Sequence, residues 1–177
     1  LFEHPVLETS RLRLRTWRED EVPRITSART NQATAHFLPF IPQPFTAEDA
    51  RFWLKDLAEQ AAAEKRFNWC VADLETDQGL GNLTLFGIQA GEAELGYWMH
   101  PEAQGRGVMA EAVQRVAQWH FGPFGGRRLV IRTAESNAAA RRTAENAGFQ
   151  LAGIERQAFQ LSTHLDGQAT YDLLASD

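Results

Sequence analysis

The sequence predicts a single α+β domain over residues 1–177, with a mixed, mostly antiparallel central sheet, one parallel strand–helix–strand unit and flanking helices. Three observations carry this reading. Phe67 to Asp73, Leu80 to Ile88 and Glu92 to His100 are alternating apolar segments joined by short links. Strands so joined must pair antiparallel, because a parallel pair needs a crossover. Glu92 to Thr133 then runs strand, helix, strand, which makes a parallel pair with a right-handed crossover. Finally, 177 residues with 44% hydrophobic and 23% charged side chains suit one ordinary domain.

The elements follow in order. Arg11 to Trp17 alternates Leu12 and Leu14 with arginines, as a half-buried strand does. Glu19 to Arg29 reads as a weaker helix, with Pro23 tolerable in its first turn. His36 to Phe45 contains Pro39, Pro42 and Pro44, so it reads as a loop carrying aromatics. Thr46 and Asp49 have the spacing of a capping box, and Ala50, Trp53, Leu54, Leu57 and Ala61 line one helical face behind them. Gln89-Ala90-Gly91 turns between two strands. Met109, Ala112, Val113, Val116, Ala117 and His120 mark the next helix, which Gly122 ends. Leu129 to Thr133 is a short strand. Ser136 or Asn137 caps a further helix with Ala140, Ala144 and Ala147 inward and Gly148 as its stop, and Phe149 to Gly153 and Ala169 to Leu174 are late strands.

Composition excludes several classes. No apolar run approaches the ~20 residues of a membrane span, and Leu1 to Thr9 has no apolar core of a secretory signal. The net charge of −5 disfavours nucleic acid as a partner. One cysteine, Cys70, rules out a disulfide framework or a thiolate zinc site within the chain and fits a reducing cytoplasm, the expected location. The histidines show no ligand spacing, so no metal is expected.

The chemistry is concentrated in the stretch from Glu94 to Ala110, where a strand runs through His100-Pro101 into Gln104-Gly105-Arg106-Gly107 at a helix start. Glycines let backbone N–H groups point outward, and the first helical turn adds unpaired donors and a partial positive charge. Together they bind an anion such as a diphosphate. No Lys-Ser/Thr pair follows, which excludes a Walker-type site. Gly105, Gly107 and Ala110 also fit the dinucleotide-binding spacing, but they lie several residues beyond the strand and follow an antiparallel meander.

This stretch, with Ser136-Asn137 to Arg142 and Glu145 to Phe149 downstream, resembles the GNAT acetyltransferase superfamily, and most of all its Rim-type branch of ribosomal-protein N-terminal acetyltransferases. Leu7-Glu-Thr-Ser-Arg-Leu-Arg-Leu-Arg15 is similar to that branch's first strand, and the likeness runs from about Leu7 to Leu174. The resemblance implies a GNAT-like fold and an acetyl-CoA-dependent N-acetyltransferase acting on a protein N-terminal amine or a small-molecule amine by direct attack in a ternary complex. It implies that Gln104, Gly105, Arg106, Gly107, Val108 and Met109 hold the diphosphate of acetyl-CoA, and that the backbone of Trp98, Met99 and His100 pairs with the pantetheine arm. Asn137 would bind the pantetheine end and Arg142 would lie near the cofactor phosphates. Glu94 would be the base, directly or through water, and a homodimer is expected from the family.

Two departures stand out. Met109 replaces a residue that is often Gly or Ala, and Ala140 replaces a Ser proposed to protonate the departing thiolate. Tyr97, Ser136 or water would then serve, or the thiolate would leave unassisted. An α-amine with a pKa near 8 costs about 1.4 kcal/mol to deprotonate at pH 7, against roughly 4.6 kcal/mol for a lysine amine. A single modest base therefore suits an α-amine better. The aromatic loop with Phe37, Leu38 and Phe40 reads as core, a dimer contact or a wall of the acceptor site, the wall being preferred because apolar loops beside a cleft often line ligands. Glu94 as a plain strand acid, Asn137 as a plain cap and Arg142 as a plain surface charge are the bland counterparts. A non-catalytic coenzyme A-binding module and a dinucleotide-binding domain are the competing functions.

Overall fold

The computed structural model describes residues 3–177, so Leu1 and Phe2 of the segment read as free of a secretory signal lie outside the described residues. Eight strands form one sheet in the order β1-β2-β3-β4-β5-β6-β8-β7. They are β1 (Leu7–Glu8), β2 (Leu12–Arg15), β3 (Phe67–Asp73), β4 (Gly79–Gln89), β5 (Glu92–Met99), β6 (Arg128–Ala134), β7 (Gln150–Gln160) and β8 (Leu165–Leu174). Neighbours pair antiparallel except β5 and β6. The expected α+β class, with its meander and its parallel crossover, is what the chain adopts.

Helices cover both sheet faces. On one, α4 (Val108–Phe121) and α5 (Ala138–Asn146) lie over Phe67, Trp69 and Val71 of β3, Leu83 and Leu85 of β4, Leu95 of β5 and Ile131 of β6. On the other, α1 (Val22–Arg29) and α3 (Ala47–Ala62) enclose Trp17, Cys70, Ala72 and Trp98. Alternation in β3 thus sorts residues between two cores, not between core and water, and both sides of the strand are buried. Each half follows from pleat geometry, which sends successive side chains to opposite faces.

The capping box at Thr46 is formed: its hydroxyl accepts from the Asp49 N–H at 3.2 Å, and the Asp49 carboxylate accepts from the Thr46 N–H at 2.8 Å. Two sequence readings need correction. His36 and Phe37 are not loop but the end of a short helix, α2 (Gln32–Phe37), started by Asn31, whose side chain accepts from the N–H groups of Ala33 and Thr34. The prolines begin only after that helix, so they end it and do not prevent it. β7 also extends far beyond Gly153, and β8 begins before Ala169. β7 is an edge strand held by main-chain pairing to β8, with two register shifts and almost no buried side chain, so it leaves little apolar signature.

The chain between α2 and α3 is pinned by burial of Ile41 and Phe45 and by the Arg29 guanidinium, which stacks 4.6 Å from the ring centroids of both Phe45 and Trp53. At the opposite end of β2, Arg15 is 8% exposed and donates to Glu21 at 2.8 Å and Asp77 at 2.9 Å. The hydrogen bonds from Arg15 and then Arg18 hold the Asp77 carboxyl below the usual carboxylate range. Its stabilising contribution is complete above that range and is lost as pH falls through the depressed value. Arg15→Ala leaves the Glu21 carboxylate, 11% exposed, with the Arg18 N–H but without its guanidinium. The expected loss is about 3 kcal/mol in urea unfolding, with the midpoint of acid unfolding moved to higher pH.

Candidate active site

The parallel ladder between β5 and β6 runs from Glu92–Arg128 to Leu95–Ile131 and stops. Beyond it β5 stays paired with β4, through Gly96–Thr84 to Met99–Gly81, while β6 stays paired with β8, through Arg132–Thr170 and Thr133–Ala169. The two inner edges therefore diverge. The Gly96–Met99 edge has no strand partner on this side, so its backbone can receive an extended ligand as an added strand. The wedge opens into a cleft of about 730 Å³, walled by α2, the turn before α4, α5 and the ends of β5 and β6.

That turn is built to leave donors free. Gly105 and Gly107 have φ of +80° and +69°, and nothing lies within 4 Å of where a Cβ would stand on either. Left-handed backbone, not crowding, is what calls for glycine here. Gly107 is the N-cap of α4 and has no side-chain cap to offer. The N–H groups of Val108, Met109 and Ala110 consequently have no partner among the described residues, and all three residues line the cleft. They add to the positive end of a 14-residue helix. The outer side of the turn is fastened by Arg11, which donates to the Arg106 carbonyl at 3.2 Å and to Glu111 at 3.0 Å.

Met109 does not intrude on this cradle. It is 3% exposed and packs toward Gly81, where an added Cβ would lie 3.3 Å from the Met109 Cε and 2.6 Å from the Trp98 carbonyl oxygen. The bulk that distinguishes Met109 is absorbed by a missing side chain on β4.

Asn137 is the N-cap of α5; its Oδ1 accepts from the Ala140 N–H at 3.1 Å, and its side-chain NH2 has no partner among the described residues. It lines the cleft, as do Ala140 and Arg142. The Tyr97 hydroxyl donates to the Ala140 carbonyl at 2.7 Å, so a phenol stands at the helix turn where the side chain of residue 140 is only a methyl. Burial pushes the Tyr97 pKa well above the usual phenol value, with Tyr171 adding to it, and the group keeps its proton at neutral pH.

Glu94 is placed differently. It does not line the cleft; its carboxylate accepts from Arg132, which does, at 2.6 Å. Burial raises its pKa above the usual carboxylate range against the opposing pull of Arg132. The cleft gathers Gln104, Gly105, Gly107, Val108, Met109, Tyr97, Trp98, Met99, Asn137, Arg142, Phe37 and Leu38 of the residues singled out from sequence. It does not gather three others. Phe40 is 77% exposed, Arg106 turns only its carbonyl to Arg11, and the His100 ring, lying toward Ser27 and Glu102, leaves only backbone for a ligand. The Trp98 side chain stacks on Trp17 with centroids 5.8 Å apart, so this residue too offers mainly backbone. Ser136 is bound to Asp166 at 2.6 Å and lies outside the cleft lining. Arg132, Thr34 and Phe159 line the cleft without having been singled out. Arg132 alone left a trace in the sequence, a charge inside the short apolar run from Leu129 to Thr133.

The Cys70 thiol faces the core under α1 and α3, and burial holds its pKa far above the usual range, so it is no nucleophile.

Comparisons with known proteins agree with this geometry. Residues 11–150 match the family model of the acetyltransferase (GNAT) domain. A curated relative, a probable N-acetyltransferase of Bacillus subtilis, is 26% identical over 116 residues, which is 64% of this chain and 64% of its own length. Among solved structures, a GNAT-family acetyltransferase from Bacillus anthracis superposes with a TM-score of 0.85 at 17% identity, covering 98% of this chain and 100% of its own. RimL, described as a ribosomal L7/L12 α-N-protein acetyltransferase in complex with coenzyme A, gives 0.84 at 20% identity, covering 98% and 100%. Mycobacterium smegmatis RimJ in complex with CoA-disulfide gives 0.85 at 14%, covering 98% and 91%.

Because burial raises Tyr97 and, first among its causes, Tyr171 as well, neither phenol of the folded chain ionises at the ordinary value. Phenolate absorbance is expected to rise above the ordinary phenol range, and Tyr97→Phe is expected to remove part of that rise. The unfolded chain loses these protons first, so stability falls as pH passes upward through the ordinary phenol pKa. Unfolding measured across that window checks the sign.

Proposed function

The chain belongs to the GNAT acetyltransferase family; from that premise we propose that it is an acyltransferase with acetyl-CoA as cosubstrate and transfers the acetyl group to a primary amine, a protein N-terminal α-amine or that of a small molecule, by direct attack in a ternary complex. The observation that carries this reading is the uncapped start of α4 facing the splayed strands: free N–H donors at one end of the cleft and an unpaired strand edge along it. A diphosphate fits the first and an extended amide-bearing arm the second.

Acetyl-CoA supplies an activated thioester carbonyl. The protein's part is to orient it and to move protons. Val108, Met109 and Ala110 hold the diphosphate through backbone N–H groups, and Asn137 uses its unpartnered amide NH2 on the arm. The backbone of Gly96–Met99 lies against that arm and offers an N–H to the carbonyl oxygen. Glu94 takes the proton of the attacking amine, either after leaving Arg132 or through water. Burial makes it a stronger base than a surface carboxylate. A nitrogen–carbon bond forms, the carbon–sulfur bond breaks, and the leaving sulfur takes a proton from Tyr97, whose hydroxyl lies against the Ala140 carbonyl.

A coenzyme A-binding module without chemistry is distinguished by turnover. Glu94→Gln is expected to lower kcat about 100-fold while the coenzyme A dissociation constant from calorimetry changes less than about twofold. Since the base must be ionised, wild-type activity falls as pH drops through the raised Glu94 pKa, and this acid limb disappears in the variant. Gly107→Val places a β-branched residue at φ +69°. It is expected to weaken coenzyme A binding by at least about tenfold, since the turn must leave its left-handed form.

A further inference from the structure

We infer that the acceptor carries a carboxylate within a few bonds of its amine, and that the Glu94–Arg132 ion pair opens to receive both charges at once. The inference rests on the acetyl-transfer reading above and names the class of acceptor.

The starting point is which side of the sheet the pair occupies. Leu95 and Ile131 pack under α4, so their neighbours Glu94 and Arg132 lie on the opposite face, with Trp98. The diphosphate cradle at the start of α4 is thus on one side of the splayed strands and Arg132 on the other. A second substrate that meets the thioester from the face away from the cradle meets Arg132. The charged side chains lining the cleft are Arg132 and Arg142, and Arg142 belongs to α5 beside the cradle. Phe37, Leu38 and Phe159 supply apolar wall. No carboxylate lines the cleft among the described residues.

Arg132 is also under-used. One of its N–H groups donates to Glu94, and the rest of its donors have no partner among the described residues. Its side chain is 36% exposed and that of Glu94 is 24% exposed. Arg128, four residues earlier on the same strand and face, is by contrast held at two nitrogens, by Glu92 at 2.7 Å and Asp172 at 3.0 Å. A planar guanidinium that lines the cleft with open donors is a receptor for a carboxylate.

Charge matching selects among acceptors. A purely cationic amine would take Glu94 and leave Arg132 unpaired beside a second cation. A neutral-tailed amine gives Arg132 no reason to release Glu94, and the base stays tied. An amine with a nearby carboxylate exchanges one ion pair for two: its ammonium goes to Glu94 and its carboxylate to Arg132. No buried charge is stranded, and the carboxylate of Glu94 is freed at the nitrogen it must deprotonate. This chemistry has two sources, a free α-amino acid or a protein N-terminus whose first residue is Asp or Glu.

The test is steady-state acetylation by the full chain with matched acceptors: glutamine against its α-amide, and peptide amides beginning with Glu against those beginning with Gln. The expected result is a kcat/KM at least about tenfold higher for the acidic member of a pair. Preference in the first pair assigns the free amino acid, and preference in the second assigns the protein N-terminus. Arg132→Gln should bring the acid-to-neutral ratio to about one, mainly through KM, and Arg132→Lys should restore part of it. A role in merely holding Glu94 would lower both members equally and leave the ratio standing, which overturns the inference. So does a wild-type ratio near one with good turnover, while the acetyl-transfer reading survives. Coenzyme A binding without turnover of any acceptor overturns that reading and takes this inference with it.

Discussion

Two strands separate after Leu95 and Ile131, and most of what this molecule can do depends on that separation. A sheet gains from closing every ladder, so an interior edge left open must be held from outside. β4 holds β5 and β8 holds β6, each through a long antiparallel ladder. The opening is therefore paid for by the flanking pairs, which keep the two edges apart while α4 and α5 seal one side. Helix α4 starts where the edges part, and its unpaired N–H groups face the same space. Cleft and cradle are two results of a single arrangement, since the crossover from β5 to β6 has to pass through the turn that ends at Gly107.

The two sheet faces divide the labour. Under α4 and α5 the contact is apolar and continuous, from Leu12 through Tyr171. The other face has a smaller apolar cluster under α1 and α3 and a polar field around it, in which Asn68, Asn82 and Thr84 bond to one another and to Trp17. Across β5, β6 and β8 the field continues as Glu92, Arg128 and Asp172, then Glu94 and Arg132. Buried polar groups are tolerated where each finds a partner, and most of those on this face do.

Much of this was legible in the residues. The Thr46–Asp49 spacing made its capping box, Asn137 caps its helix, and the antiparallel links of residues 67–99 could pair in only one way. The glycine turn pointed to free donors because glycines at a helix start let backbone N–H groups face outward, and both glycines have positive φ. What stayed hidden has physical causes. Helix α2 is six residues long, with an ordinary composition and conspicuous prolines just after it. Edge strand β7 buries almost nothing, so no periodicity marks it. The splay point is a relation between two strands far apart in sequence, and local pattern does not register it. Glu94 was reached through the family resemblance, while its partner Arg132 showed only as a charge inside an apolar run. Phe40 shows the converse error: an apolar residue in a loop near the cleft that points to water.

The lone thiol gives the chain an internal reporter. Cys70 sits on a central strand with no accessible surface, walled in by the packing of α1 and α3. A thiol so placed meets an alkylating reagent only when the strand around it comes apart. Its labelling rate therefore times global opening of the domain without any engineered probe, and a ligand that slows labelling does so by tightening the whole sheet, since the sulfur lies beyond that ligand's reach.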